Sequence, residues 1–240
     1  MSAAAVPRSK PRAVLVDIDN TLYAYEPCHR AGMDAAASAA AELADRWRSA
    51  EQFLRDFQAA RTEVKRRLGR CAAAHSRLLY FKEMVDSCPG QADLEAATRL
   101  ETAYWTAYGR RMSVEPGACE LLEQLRRSGV RLAWVSNYTT ARQIWKLRQL
   151  EMHRCGAALV TSEEAGSEKP DPAIVDLALA RLGRTSEETW LVGDSLEEDI
   201  AVARARNIFP ILLTRGAGGG SDNRYFSASS WQEIRGLFET

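Results

Sequence analysis

Residues 13–21 read Ala13-Val14-Leu15-Val16-Asp17-Ile18-Asp19-Asn20-Thr21. Four consecutive apolar residues make the short continuous run of a strand buried on both faces, as parallel sheets require. Two carboxylates follow at once, just past the carboxyl end of that strand, where open α/β sheets place their sites. Alternation with a period of two points Asp17 and Asp19 the same way and turns Ile18 into the core. Like charges this close repel, so the pair calls for a cation or a shared proton. On these residues alone, a strand followed by a polar turn is an equal reading.

With 240 residues the chain can bury a substantial core, as one large domain or a domain with an insertion. Its 32 basic and 32 acidic residues balance, so no net field recruits nucleic acid or an anionic membrane. The cysteines (Cys28, Cys71, Cys88, Cys119 and Cys155) are widely spaced, with no Cys-x-x-Cys pair. That pattern favours reduced thiols over a disulfide framework or a zinc site. The stretch from Met1 to Pro11 lacks the apolar segment of a secretion signal. No run reaches the roughly 18 apolar residues of a membrane span. These features predict a soluble, cytoplasmic protein, monomeric or homodimeric.

After Thr21 a long region shows helical spacing and little strand-like alternation, broken mainly at Ser87-Cys88-Pro89-Gly90. Helices are predicted near 28–47, 50–68, 71–86 and 91–108. This is far longer than an ordinary crossover, so residues 25–110 are expected to form an all-helical subdomain inserted into a core of 1–24 and 111–240. From Pro116-Gly117 onward, strands and helices alternate. Strands are expected at 131–135, 157–161, 189–192 and 210–213, the last being the final strand. Helices are expected at 118–127, 140–152, 171–182, from about 195 to 206, and at 230–238. Gly216 to Gly220 reads as a flexible loop. Such alternation predicts an α/β fold with a Rossmann-like, doubly wound parallel sheet.

Three further places bring polar groups to strand ends or helix starts. Ser136-Asn137 follows the strand Arg131–Val135 and precedes a helix, a position suited to an anion but equally to a turn or cap. Lys169 stands in Glu168-Lys169-Pro170-Asp171-Pro172, before a helix. Gly193-Asp194-Ser195 ends the strand Thr189–Val192, and Asp199 lies in the first turns of the helix after it. An Asp directly after a buried strand and a Gly has little structural reason to be there.

In this order the stretches resemble the four motifs of the haloacid dehalogenase-like hydrolase superfamily, the first being Asp-x-Asp-x-Thr. The likeness covers residues 11–24 and 113–215, and it is vaguer over the helical segment, where the family often carries an α-helical cap. The resemblance implies that Asp17 is a nucleophile and Asp19 a general acid/base; a second Asp is typical of the phosphatase branches. It implies phosphate contacts from Asn20, Thr21, Ser136, Asn137 and Lys169, and a metal site drawn from Asp17, Asp19 (through its backbone carbonyl), Asp194 and Asp199. Asp199 would also orient water or Lys169. Four carboxylates against one ammonium would repel a phosphate dianion unless a divalent cation joined them. All-oxygen ligands favour Mg²⁺.

The expected function is hydrolysis of a small phosphorylated metabolite, a sugar phosphate or nucleotide, through an aspartyl-phosphate. The alternatives are a phosphomutase or phosphotransferase of the same superfamily, and a catalytically silent binding protein on this fold. Selectivity is expected from the helical insertion, with Tyr23 and Tyr25 at its entrance and His75 or Arg77 meeting a second anionic group or sugar hydroxyls. A basic run that includes Arg77 is more usually a solvated helix face. His29 and His153 read as structural.

Overall fold

The computed structural model describes residues 9–43, 46–88, 93–215 and 225–239. The chain divides into two compact units, Met1–Ala24 with Ser113–Thr240, and Tyr25–Met112. β1 (Ala13–Val16) is followed by the helices of the inserted unit: α1 (Tyr25–Ala41), α2 (Ala50–Leu68), α3 (Arg77–Asp86) and α4 (Leu94–Arg111). The remainder runs α5 (Ala118–Arg127), β2 (Arg131–Ser136), α6 (Thr140–Gln149), β3 (Ala158–Thr161), α7 (Ser162–Ala165) and α8 (Ala173–Leu182). It ends with β4 (Thr189–Gly193), a π-helical turn at Leu196–Ile200, α9 (Ala201–Ala205), β5 (Phe209–Leu213), β6 (Phe226–Ala228) and α10 (Trp231–Glu239).

Among the described residues all strand pairings are parallel, in the order β3-β2-β1-β4-β5-β6. β1 is therefore the point where the winding reverses. Its neighbours follow the alternation of the strands. Ala13, Leu15, Ala133, Val135 and Leu191 face one way, into a cluster with Ile174, Val175 and Ala178 of α8 and Val202 of α9. Trp190, one residue out of phase with Leu191, packs on Phe238 of α10 with ring centroids 4.9 Å apart. Helices thus cover both faces, as continuous apolar strands need. The sheet is one strand wider than predicted, because β6 adds to β5. Gly216 to Gly220 lies outside the described residues.

The inserted unit has its own core, an aromatic cluster of Phe53, Phe57, Tyr80, Phe81, Tyr104, Trp105 and Tyr108, all buried. α1 ends at Ala41 rather than 47, and Trp47 instead packs on Phe53 with centroids 5.5 Å apart. Ser49 then caps α2, accepting from the Gln52 amide at 3.2 Å. The helix predicted over 71–86 is two pieces. Ser76 adopts extended backbone and caps α3 by accepting from the Leu79 amide, which isolates a 3₁₀ turn at Ala72–His75. Among the described residues no helix is long and apolar enough to cross a membrane.

Small residues let α1 approach α4 closely. A Cβ on Gly32 would lie 2.7 Å from the Tyr104 ring. An alanine normally favours a helix over glycine by about 1 kcal/mol, but here the buried ring has nowhere to go. Gly32→Ala is expected to destabilise by about 1–3 kcal/mol through overpacking. Gly236→Ala in α10, where a Cβ meets nothing within 4 Å, should stabilise by up to about 1 kcal/mol. Urea unfolding of the two variants checks these opposite signs.

Candidate active site

Val16 pairs with Trp134 of β2 on one side and with Val192 of β4 on the other, so the three strands end nearly level. That register delivers Asp17, Ser136 and Asp194 to one edge of the sheet. The Asp17 amide continues the ladder, donating to the Val192 carbonyl at 2.9 Å, which fixes the side chain where the strands part. Asp17 is 5% exposed.

Lys169 reaches the same point from the loop before α8. Its ammonium is buried and donates to Asp17 Oδ1 at 2.7 Å, Asp199 Oδ1 at 2.6 Å and the Val135 carbonyl at 3.1 Å. Burial works against the charged amine, but Asp17 and Asp199 outweigh it and hold Lys169 protonated. The loop is clamped by Asn137. Its Oδ1 accepts from the Lys169 amide at 2.7 Å, while its Nδ2 donates to the Lys169 carbonyl at 3.1 Å and to Glu198 at 3.0 Å. The Asn137 side chain is thus a strut for Lys169.

Asp199 Oδ2 accepts from the Ser195 amide at 3.2 Å. Gly193 is required by this packing, since a Cβ there would lie 2.2 Å from the Asp199 carboxyl carbon. Asp194 is held from the other side, by Asn20 Nδ2 at 2.6 Å and Thr21 Oγ1 at 3.4 Å. Asn20 occupies the left-handed region, φ 62°, where asparagine is among the residues that tolerate it. Both side chains, expected to contact phosphate, orient Asp194 here. Arg215 braces this turn, donating to the Asn20 carbonyl and to the Tyr23 carbonyl at 2.9 Å, and pairing with Glu115 at 2.8 Å.

Asp17, Asp194 and Asp199 can each offer an oxygen within 4.8 Å of the others. Burial, with Asp199 and Asp194 adding to it, raises the Asp17 pKa well above the usual carboxylate range despite Lys169. Burial also raises Asp194, with Asp199 contributing. One ammonium among three carboxylates leaves negative charge in excess, and the donors are all oxygen. This set fits a hard divalent cation.

The Asp19 carboxylate has partners of its own. Its carboxylate receives Lys146 Nζ at 2.5 Å, Gln143 Nε2 at 2.6 Å and the Tyr23 hydroxyl. Burial alone would raise its pKa, but Lys146, with the Tyr23 and Gln143 hydrogen bonds, lowers it. Gln143 Nε2 also donates to Ser136 Oγ at 2.5 Å. Two corrections follow. Tyr23, expected at the entrance of the insertion, is fully buried and serves Asp19. The count of one ammonium was short by Lys146. The sequence held a signal for α6: Gln143, Lys146, Leu147 and Leu150 share one helical face and are buried, while Ile144 is 46% exposed. Polar side chains inside an apolar stripe mark a site.

Within the inserted unit, Arg77 is buried and is not on a solvated face. Its guanidinium donates to the Tyr25 hydroxyl at 2.5 Å, the Tyr104 hydroxyl at 3.3 Å and the His75 carbonyl at 2.8 Å, and lies over the Tyr80 ring. His29 Nδ1 is 2.8 Å from the Tyr104 hydroxyl. Burial, with Arg77 and Arg61 nearby, lowers its pKa to about 4.

Known proteins resemble this chain over most of its length. Residues 11–205 match the haloacid dehalogenase-like hydrolase family. The chain is 44% identical over 201 residues to ribulose-1,5-bisphosphate 5-phosphatase of Halopiger xanaduensis, covering 84% of each chain. It is 31% identical over 209 residues to glyceraldehyde 3-phosphate phosphatase of Methanopyrus kandleri, covering 85% of this chain and 84% of that one. A phosphatase structure from Thermococcus onnurineus superposes with a TM-score of 0.73 at 22% identity, covering 96% of this chain and 98% of the other, and so shares the fold. This chain belongs to the haloacid dehalogenase-like hydrolases, and within them to the phosphatases.

Proposed function

We propose that this protein is a Mg²⁺-dependent phosphomonoesterase acting on a small sugar phosphate through an aspartyl-phosphate. One observation carries the reading. The Asp17 carboxylate lies 2.7 Å from a buried ammonium, with Asp194 and Asp199 within 4.8 Å, at the sheet edge where the winding reverses. The two relatives named above act on phosphorylated sugars, which favours that class over nucleotides.

In the proposed reaction an Asp17 oxygen forms a bond to phosphorus as the ester P–O bond breaks. Lys169 and Ser136 stabilise charge on the phosphoryl oxygens. Asp19 gives its proton to the departing alkoxide. Water then attacks the aspartyl-phosphate, Asp19 takes the water's proton, and phosphate leaves with Asp17 restored. Asp17, the Asp19 carbonyl and Asp194 would hold Mg²⁺, with Asp199 beside them. When bound, the ion would offset the negative charge that otherwise opposes phosphate. Lys146 holds Asp19 as a carboxylate, the form the second step needs. The first step needs it protonated, and the proton it takes from water in one turnover is the one it gives to the alkoxide of the next.

Phosphate release should be measured on ribulose bisphosphate, glyceraldehyde 3-phosphate and a panel of sugar phosphates and nucleotides. Release from none of them, or transfer to a substrate hydroxyl without free phosphate, would reject the reading. Asp17→Asn should lower turnover on the order of 10³-fold or more, the scale on which a lost nucleophile acts, with circular dichroism unchanged.

The cation has a readout apart from activity. Mg²⁺ should raise the melting temperature of chelator-treated protein, by about 2.7 kcal/mol in stability at a hundred times its dissociation constant. Asp194→Asn should remove most of that shift. An unchanged melt with Mg²⁺ would argue against the site.

The inserted unit is proposed to supply selectivity. Arg77, with His75 beside it in sequence, is set among tyrosine hydroxyls. That chemistry suits a second phosphate or sugar hydroxyls. Arg77→Ala or His75→Ala should lower kcat/KM on the preferred sugar phosphate by at least about tenfold more than on p-nitrophenyl phosphate. Equal losses on the two would assign these residues to folding of the insertion.

A further inference from the structure

Two partners of the Asp19 carboxylate come from one helix face. α6 presents Gln143 and Lys146 one turn apart, 0% and 1% exposed. Lys146 Nζ lies 2.5 Å from Asp19 Oδ1, and Gln143 Nε2 lies 2.6 Å from Oδ2. Each carboxylate oxygen thus has its own donor, and the Tyr23 hydroxyl joins Lys146 on Oδ1. The Lys146 ammonium also sits 4.4 Å from the Tyr138 ring centroid, which fixes it from behind.

Such a face is a poor choice for packing alone. Gln143 Oε1 is buried with no hydrogen-bond partner among the described residues. Leaving such an acceptor unsatisfied costs about 1–3 kcal/mol, and a leucine or methionine there would avoid it. The amide is retained where its nitrogen bridges two groups, Asp19 Oδ2 and Ser136 Oγ. Those groups belong to different strand ends and, in the proposed reaction, to different tasks.

We infer that Gln143 and Lys146 are positioning residues. Together with Tyr23 they hold the Asp19 carboxylate in place for proton transfer, and through Gln143 they tie its position to that of Ser136. The inference rests on the acid/base reading of Asp19 given above. Neither residue needs to touch substrate. Misplacing a reacting group by about 1 Å can cost on the order of 10²-fold in rate, which sets the size of the effect.

The test separates proton transfer from the rest of the site. An alkyl phosphate needs its leaving oxygen protonated, whereas nitrophenolate departs without help. Lys146→Met should lower steady-state turnover of an alkyl sugar phosphate by roughly 10- to 100-fold, with KM within about twofold. With p-nitrophenyl phosphate, a rapid mix should show a burst of nitrophenol near one equivalent of enzyme, at a rate within about threefold of wild type. A slow steady state should follow, because water attack lacks a well-placed base. Gln143→Met should show the same split, and it carries the test if Lys146→Met melts too low to assay.

Asp19→Asn is run beside them. If it shows the burst and stall while the α6 variants lose both phases equally on both substrates, or lose nothing, the inference is overturned and the acid/base reading stands. If Asp19→Asn shows no such split, the acid/base reading falls and the inference falls with it.

Discussion

The structure of the site depends on a single buried ammonium. Lys169 is inserted between Asp17, at the end of β1, and Asp199, in the turn after β4, and also donates to the Val135 carbonyl of β2. It therefore ties three strand ends together at the centre of the sheet. Two carboxylates at this depth would not stay ionised side by side without it. Losing one partner of a buried charge group of this kind costs about 3–5 kcal/mol, since the others are left uncompensated. Surrounding features read as consequences. Asn137 grips the Lys169 peptide from both sides, and position 193 lacks a side chain so that Asp199 can close on the strand.

A second ammonium divides the charge of the site into two regions. Lys146 draws Asp19 toward α6, while Asp17, Asp194 and Asp199 crowd around Lys169. The opposite pKa directions of Asp17 and Asp19 follow from this partition: burial prevails at Asp17, and the Lys146 pair prevails at Asp19. Two carboxylates separated by one residue thereby acquire different proton affinities, and the crowding that raises Asp17 is what a bound cation would offset. Gln143 joins Asp19 to the end of β2, since it contacts both Asp19 and Ser136.

Parts of this were legible in the sequence for local reasons. The run Ala13–Val16 can only be buried on both faces, so its place inside a parallel sheet, and the polar residues at its end, could be read directly. Other parts were not. β6 is three residues, Phe226–Ala228, too few for any periodicity to show. The alanines after Asp34 carry helix propensity past the point where α1 stops, because the cap at Ser49 and the burial of Trp47 decide that boundary. Tyr23 sits next to a polar turn and reads as exposed, but Arg215, far along the chain, braces that turn from outside while the Tyr23 ring is fully buried.

The sequence by itself determined which stretches become buried strands, where each is interrupted by a polar group, and hence the α/β architecture and the set of carboxylates at one edge. These are short-range properties, set by apolar runs, alternation and turn residues within a few positions. Only the tertiary structure decided which cation serves which carboxylate. Lys146 and Asp19 are 127 positions apart, and a lysine on a helix is solvent-facing by default. It becomes a buried partner only when the sheet edge and α6 meet, because removing an ammonium from water is tolerable only where a carboxylate is already waiting.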